Sequence, residues 1–159
     1  MKKFKLFMLA FVTVFSTMPA FAQKELSPNA EDFRRNVFSY LENEGYKPYI
    51  DEDDDLCFKA EGTLFWMSFD NGDELRPVYV EFHRSGLKLE GADRENMILT
   101  ANFINLKKKC VKASVGSKTL SFSIEMVYYD AAEFTRTIPR CMEFLNISYA
   151  AAMEFYNEL

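Results

Sequence analysis

The sequence is poor in the residue types that most often carry catalysis or bind metals. It has one histidine, His83, and three cysteines in 159 residues, none at the spacing of a zinc site. A nucleophile would need His83 as its base, yet His83 falls in the middle of a predicted strand and no Gly-x-Ser-x-Gly motif occurs. A glycine-rich phosphate loop is absent too. We therefore predict no catalytic residue, no cofactor and no metal centre, and expect that the protein is not an enzyme.

Basic residues are also scarce. Lysine and arginine number 19 against 24 acidic residues, and without the three lysines among the first 22 residues the net charge falls from −5 to −8. A protein this acidic, without a basic stripe, is poorly suited to bind nucleic acid or anionic lipid. The one basic run, Lys107–Lys109, fits the last turn of a helix, where cations are favoured by the helix dipole.

Residues 1–22 have the pattern of a cleaved signal peptide. Three lysines precede an apolar run from Leu6 to Met18, and Pro19–Ala22 ends in a small-x-small cleavage pattern. The run is shorter than the roughly 20 residues that a membrane span needs. We therefore expect cleavage before Gln23, no stable membrane insertion afterwards, and an exported protein, periplasmic or secreted. The remaining 137 residues, 23–159, are enough for one domain.

Three cysteines allow at most one disulfide within the chain. Cys57 and Cys110 both fall on predicted strands and could form it. Cys141 falls on an apolar helical stripe and is predicted to be a buried thiol. The alternative, three reduced thiols, stays open because pairing cannot be read from spacing.

Apolar periodicity predicts an α+β fold with an antiparallel sheet of about five to six strands and three helices. The first helix begins at Ser27-Pro28 and ends at Gly45, and the second runs from Ala92 or Asp93 to about Lys108 with an apolar stripe of Met97, Ile98, Ala101 and Ile104. Strands are predicted at Tyr46–Ile50, Leu56–Glu61, Thr63–Phe69, Arg76–Arg84, Cys110–Val115 and Thr119–Val127, with an Asn-Gly turn within Asp70–Asp73.

The segment Leu64–Met67 is apolar on both alternating faces and carries the only tryptophan, Trp66. A strand of that kind is typical of the middle of a sheet with both sides covered. We therefore predict that this strand is central and that other parts of the chain cover both of its faces.

The last predicted helix begins at Asp130 and is apolar around most of its circumference. Pro139 lies about three turns in and predicts a kink or a restart near Thr137. A single small sheet cannot cover so much apolar surface. We therefore predict a partner-binding surface on this helix and expect a homodimer, with a protein or peptide as a further partner. The residues predicted to form this surface are Phe144, Ile147, Ala151 and Phe155.

The acidic run Asp51–Asp55 is the alternative candidate for a site. Alternate aspartates resemble a calcium loop, but Leu56 stands where that loop requires glycine and Gly62 where it requires glutamate. The main interpretation is therefore a solvated turn. A small-ligand or calcium-binding envelope protein that uses this turn remains the alternative function.

The order of these parts is similar to that of the YbjN family, putative bacterial sensory transduction regulators that resemble type III secretion chaperones in fold. The matching features are the Gly45-Tyr46 entry, the Asp51–Asp55 turn followed by Phe58 and Glu61-Gly62, and a helix with Asn105 followed by lysines and Val111. The resemblance implies a chaperone-like α+β domain and a regulator or chaperone role, and no active-site residues. Typical members work in the cytoplasm, whereas this chain begins with an export pattern.

Overall fold

The computed structural model describes residues 26–70, 77–88, 93–117 and 119–159. The predicted signal peptide, residues 1–22, and most of the predicted turn at Asp70–Asp73 lie outside these residues. The described part of the chain contains three helices and one six-stranded antiparallel sheet, so the predicted α+β class is confirmed. The chaperone-like label remains a prediction from the resemblance.

The sheet has the strand order β1-β2-β3-β4-β6-β5, and all neighbouring strands are antiparallel. The strands are β1 (Tyr49–Ile50), β2 (Leu56–Ala60), β3 (Thr63–Phe69), β4 (Val78–Lys88), β5 (Lys112–Val115) and β6 (Thr119–Tyr128). The first four form a meander, as the tight turns predict, and β6 then pairs with β4. The central position predicted for Leu64–Met67 is confirmed, because β3 has neighbours on both sides.

The helices are α1 (Pro28–Asn43), α2 (Arg94–Lys107) and α3 (Ala131–Asn157). Ser27, Asp93 and Asp130 cap them, each accepting a hydrogen bond from a backbone N–H of the first turn. After α1, Gly45 adopts φ +87°, the left-handed conformation that ends helices at little cost for glycine. The caps read from the sequence are thus the ones that form.

All three helices pack on the same face of the sheet. Phe33 of α1 lies against Phe69 of β3 and Phe134 of α3, and Tyr149 of α3 meets Phe122 of β6. No described helix covers the other face, so the prediction that both faces of β3 are covered is wrong for the described part of the chain. Trp66 is half-buried there because neighbouring side chains of the sheet pack against it.

Arginine 84 joins the sheet to α3 within this layer. Its Nε donates to Asn146 Oδ1 at 2.7 Å, its guanidinium lies 3.5 Å from the centre of the Tyr149 ring, and Nη1 donates to the Ser85 carbonyl at 2.8 Å. Burial lowers the pKa of Arg84 from its ordinary value. Neutral acceptors and an aromatic face therefore stabilise this buried cation.

Four local predictions need correction. The strand β5 begins at Lys112, and Cys110 is an exposed turn residue with φ +65°. Ile98 is 49% exposed, because the buried stripe of α2 runs through Thr100 instead. Of the kink or restart predicted near Thr137, the restart is wrong, since α3 is one continuous helix with the proline on its exposed side. The first strand is shorter than predicted and contains Tyr49 and Ile50 alone.

A Cys57–Cys110 disulfide does not fit this fold. Cys57 lies on β2, whereas Cys110 directly precedes β5 at the far edge, with β3, β4 and β6 between them. Strand spacings of about 4.8 Å place the two strands roughly 19 Å apart, while a disulfide requires Cα atoms within about 7 Å. All three cysteines are free thiols, and Cys141 is buried as predicted.

Candidate functional site

The four residues predicted for partner binding lie along one side of α3. Ile147 is 47% exposed, whereas Phe144, Ala151 and Phe155 are half-buried. Phe155 stacks on Phe103 of α2, with ring centroids 4.2 Å apart and planes 2° apart. The structure therefore brings the predicted residues together, and it places Phe155 in the contact between α3 and α2.

Helix α2 adds exposed apolar side chains to this contact. Leu106 is 74% exposed and Leu99 is 44% exposed. Leu99, Phe103 and Leu106 are spaced by four and three residues, so they share one stripe of α2, and Phe103 fixes that stripe beside α3. We call the resulting region the helix surface: Leu99, Phe103 and Leu106 of α2 with Phe144, Ile147, Ala151 and Phe155 of α3.

The contribution of α2 to the helix surface was not predicted. Leu99 and Leu106 are apolar but lie outside the buried stripe of this helix, and this feature of the sequence could have indicated an exposed apolar surface. Beside the helix surface, Arg140 lies over the Phe144 ring at 4.7 Å and forms an ion pair with Glu143 at 2.6 Å, so these two charges offset each other. Such a surface can bind another apolar surface, and it offers no group suited to acid–base chemistry.

A cleft of about 380 Å³ lies on the other flank of α3. It lies between α3, Tyr46 and the β2–β3 turn. The residues that line it are Tyr46, Ala60, Glu61, Pro139, Met142, Glu143, Asn146 and Ile147. Ile147 thus borders both the cleft and the helix surface. The two carboxylates in the lining make the cleft unsuited to an anionic ligand.

The acidic run folds as a turn held by its own hydrogen bonds. Asp51 Oδ1 accepts from the N–H groups of Asp53 and Asp55, both at 3.0 Å, and Asp51 Oδ2 accepts from Cys57 Sγ at 3.3 Å. Asp54 forms an ion pair of 2.6 Å with Arg34 of α1. Within the described ranges, no group of three or more His, Cys, Asp or Glu residues could hold a metal ion. The carboxylates of Asp51 and Asp54 are therefore occupied by structural bonds.

The side of the sheet away from the helices, called the sheet face below, carries a polar and aromatic row that the sequence did not reveal. Trp66 stacks on His83 with ring centroids 5.1 Å apart and planes 4° apart, and His83 Nε2 lies 3.2 Å from Glu81 Oε2. Glu81 lies directly opposite Glu125 on β6, and Lys112 of β5 binds Glu125 at 2.6 Å. Strand alternation places these side chains on one face, but the pairing of β4 with β6 could not be read from the sequence.

Two of the three cysteine thiols are poorly suited to act as nucleophiles. Burial raises the pKa of the Cys57 thiol to about 12, and burial also raises the pKa of the Cys141 thiol. Burial lowers the pKa of His83, although Glu81 acts in the opposite direction. A thiol of raised pKa supplies little thiolate at neutral pH, and thiolate is the reactive form.

Comparison with protein-family models, with curated proteins and with solved structures finds no match to this chain. Across the described residues, none of the helices combines the length and apolar character needed to span a membrane. The fold and its surfaces are therefore the basis for the proposals that follow.

Proposed function

We propose that this chain is an exported, non-enzymatic protein-binding module of the cell envelope or its exterior, and that the helix surface is where it binds. The observation that carries this proposal is the pair of exposed apolar stripes on α2 and α3, joined through Phe103 and Phe155. Large apolar side chains grouped on adjoining helices are typical of interaction surfaces. The YbjN resemblance supports a chaperone- or regulator-like role, and the pattern of residues 1–22 supports export.

The partner to which we commit first is a second copy of the chain. The helix surface exposes several apolar side chains, and Arg140 and Glu143 beside it pair with each other, so apolar contact would hold two copies together there. Each copy would supply Leu106 and Ile147, the most exposed members on the two helices. A twofold dimer brings the same patch of both copies together, which suits such a self-complementary apolar surface.

Sedimentation equilibrium of the purified protein tests this proposal. We expect a dimer, and we expect Leu106→Glu and Ile147→Glu each to weaken it by about tenfold or more, because a charge would be buried in the interface. Val127→Glu is the matched control, since Val127 is 60% exposed and lies on β6 outside the helix surface. Thermal unfolding should shift little in all three variants, as these positions are exposed.

A parent protein that remains monomeric at millimolar concentration would refute the homodimer. Photo-crosslinking then tests whether the helix surface binds a different protein or has no partner. A benzoyl-phenylalanine at position 147 should crosslink one specific envelope protein, whereas the same group at position 50, on the edge strand β1, should not. Equal labelling from both positions, or from neither, would contradict binding through the helix surface.

The calcium-binding alternative receives no such support. The Asp51 carboxylate already accepts three hydrogen bonds, and Asp54 is paired with Arg34. A calcium ion would have to displace these bonds and would still lack the bidentate glutamate that Gly62 replaces, while Leu56 stands where the loop needs glycine for its turn.

A further inference from the structure

The sheet face combines a row of carboxylates with an aromatic stack and has no described helix over it. Register places Ser68 of β3 opposite Glu81, and Glu81 opposite Glu125. Asp55 directly precedes Leu56, which pairs with Met67, so Asp55 continues the same row beside Ser68. Three carboxylates thus lie across four neighbouring strands with one serine between them.

This row has less positive charge than negative charge. Lys112 neutralises Glu125, whereas the partner of Glu81 is His83, whose pKa is lowered by burial so that the ring is neutral near pH 7. Lys59 is four residues along β2 from Asp55, about 13 Å away, and Lys88 lies at the far end of β4 opposite Thr119. Like charges directly opposite each other on paired strands reduce stability, and of the two carboxylates Glu81 is the one without a lysine partner, since the bond from Lys112 lowers the pKa of Glu125.

Two pKa shifts, both caused mainly by burial, include a further contribution from these negative charges. Burial, followed by repulsion from Asp51, Asp53, Asp54 and Glu81, raises the pKa of Asp55 to about 6. Burial and the bonds and charges of Glu125 and Glu81 raise the pKa of Tyr79 to about 12. A cation bound at this row would relieve both effects.

The aromatic stack lies beside the carboxylate row. Trp66 is two residues from Ser68 on β3, and alternation of side chains puts both on the same face. Its indole is half-buried against His83 and therefore held in a fixed position. An aromatic face next to carboxylates suits an arginine guanidinium, which can stack on the ring while it donates to oxygen atoms.

We propose that the sheet face binds a basic segment of another polypeptide, with its arginine or lysine side chains placed among Asp55, Glu81 and Glu125 and against Trp66. Charge selects this occupant. A second copy of the chain would bring the same carboxylates into opposition, and nucleic acid or anionic lipid would be repelled. The sheet face is separate from the helix surface, so this proposal does not depend on the proposed dimer.

Trp66 is the only tryptophan of the chain, so its fluorescence reports directly on the sheet face. The probe is an eight-residue peptide of alternating arginine and serine, with the corresponding glutamate–serine peptide as the negative control. We expect a saturable fluorescence change with the arginine peptide alone, and a strong loss of affinity between 20 mM and 500 mM NaCl because exposed charges are screened.

Two variants that remove the same charge locate the site. Glu81→Gln should weaken binding of the arginine peptide by about tenfold. Glu154→Gln, on the exposed side of α3, should weaken it less than twofold. Glu81→Gln should also unfold at an equal or higher temperature than the parent, since it removes one of two opposed carboxylates.

Three results would overturn the proposal: no saturable fluorescence change, equal weakening by both variants, or a lower unfolding temperature for Glu81→Gln. Equal weakening by both variants would mean that the peptide is attracted only by the net charge of the protein. A lower unfolding temperature would mean that Glu81 stabilises the fold. Leu106→Glu should bind the arginine peptide as the parent does. Failure of the dimer proposal and failure of the peptide-binding proposal can therefore be told apart.

Discussion

The side chain of Asn105 closes one edge of the sheet. Its Oδ1 accepts from the N–H of Ala113 at 2.8 Å, and its Nδ2 donates to the Ala113 carbonyl at 3.1 Å. Ala113 lies on β5, the edge strand, and these two groups are the ones that point away from β6. A side-chain amide thus replaces the backbone of a further strand and also ties α2 to the sheet.

We expect Asn105→Ala to lower the free energy of unfolding by about 1–2 kcal/mol, because two backbone groups of Ala113 lose their partners. Asn102→Ala is the matched control, since Asn102 is exposed on the same helix, and its effect should stay within about 0.5 kcal/mol. Urea unfolding followed by circular dichroism measures both. Equal effects from the two variants would show that the bonds to Ala113 contribute nothing specific.

At the scale of elements, helix caps and strand alternation were predictable because they depend on neighbours in sequence. Ser27, Asp93 and Asp130 begin helices through bonds spanning two or three residues. The exposure of Ile98 and the one-sided cover of β3 were not predictable. Both depend on where α2 and α3 lie relative to the sheet, and periodicity does not contain that information.

Helix α3 passes through Pro139 without interruption, and this leads to a prediction for the element. A proline inside a helix removes one ladder hydrogen bond and crowds the preceding turn. Pro139→Ala should therefore raise the free energy of unfolding by about 1–3 kcal/mol, with helix content unchanged. Urea unfolding and far-ultraviolet circular dichroism test it. A destabilised variant would instead show that the contacts of the ring in the cleft beside Tyr46 outweigh the lost bond.

For the whole molecule, two buried groups give stability opposite dependences on pH. The carboxyl pKa of Asp55 is raised from 3.8 to about 6, so its contribution is fully present below pH 4 and is lost as the pH rises through 6. The pKa of His83 is lowered from 6.5, so its contribution is present above pH 6.5 and is lost as the pH falls below that value. The two contributions oppose each other in mildly acidic solution.

Asp55→Asn isolates the first contribution, because His83 is the same in both proteins. At pH 8 the variant should unfold about 2–4 °C higher than the parent, and near pH 4 the difference should disappear as the parent carboxyl becomes protonated. Scanning calorimetry at both pH values measures it. Glu52→Gln, at an exposed position of the same turn, is the control and should show no such change between the two pH values. A difference independent of pH would contradict the charge explanation.

Part of the candidate sites could be predicted from the sequence, and part could not. Phe144, Ile147, Ala151 and Phe155 were predicted because a helix apolar around its circumference needs more than one covered side. Leu106 and the opposition of Glu81 to Glu125 were missed, since the first depends on packing between helices and the second on pairing between strands 44 positions apart in sequence. Long-range register of this kind is set by the assembled core.

The closed edge at Ala113 also affects how molecules of this protein associate with one another. An open edge strand is a template on which a further chain can add, and repeated addition leads to fibrils. Here one end of the sheet is blocked by an amide, and the other end is β1, only two residues long. The sheet therefore has little from which a polymer could grow, and contacts between molecules are left to the two broad surfaces rather than to the strand edges.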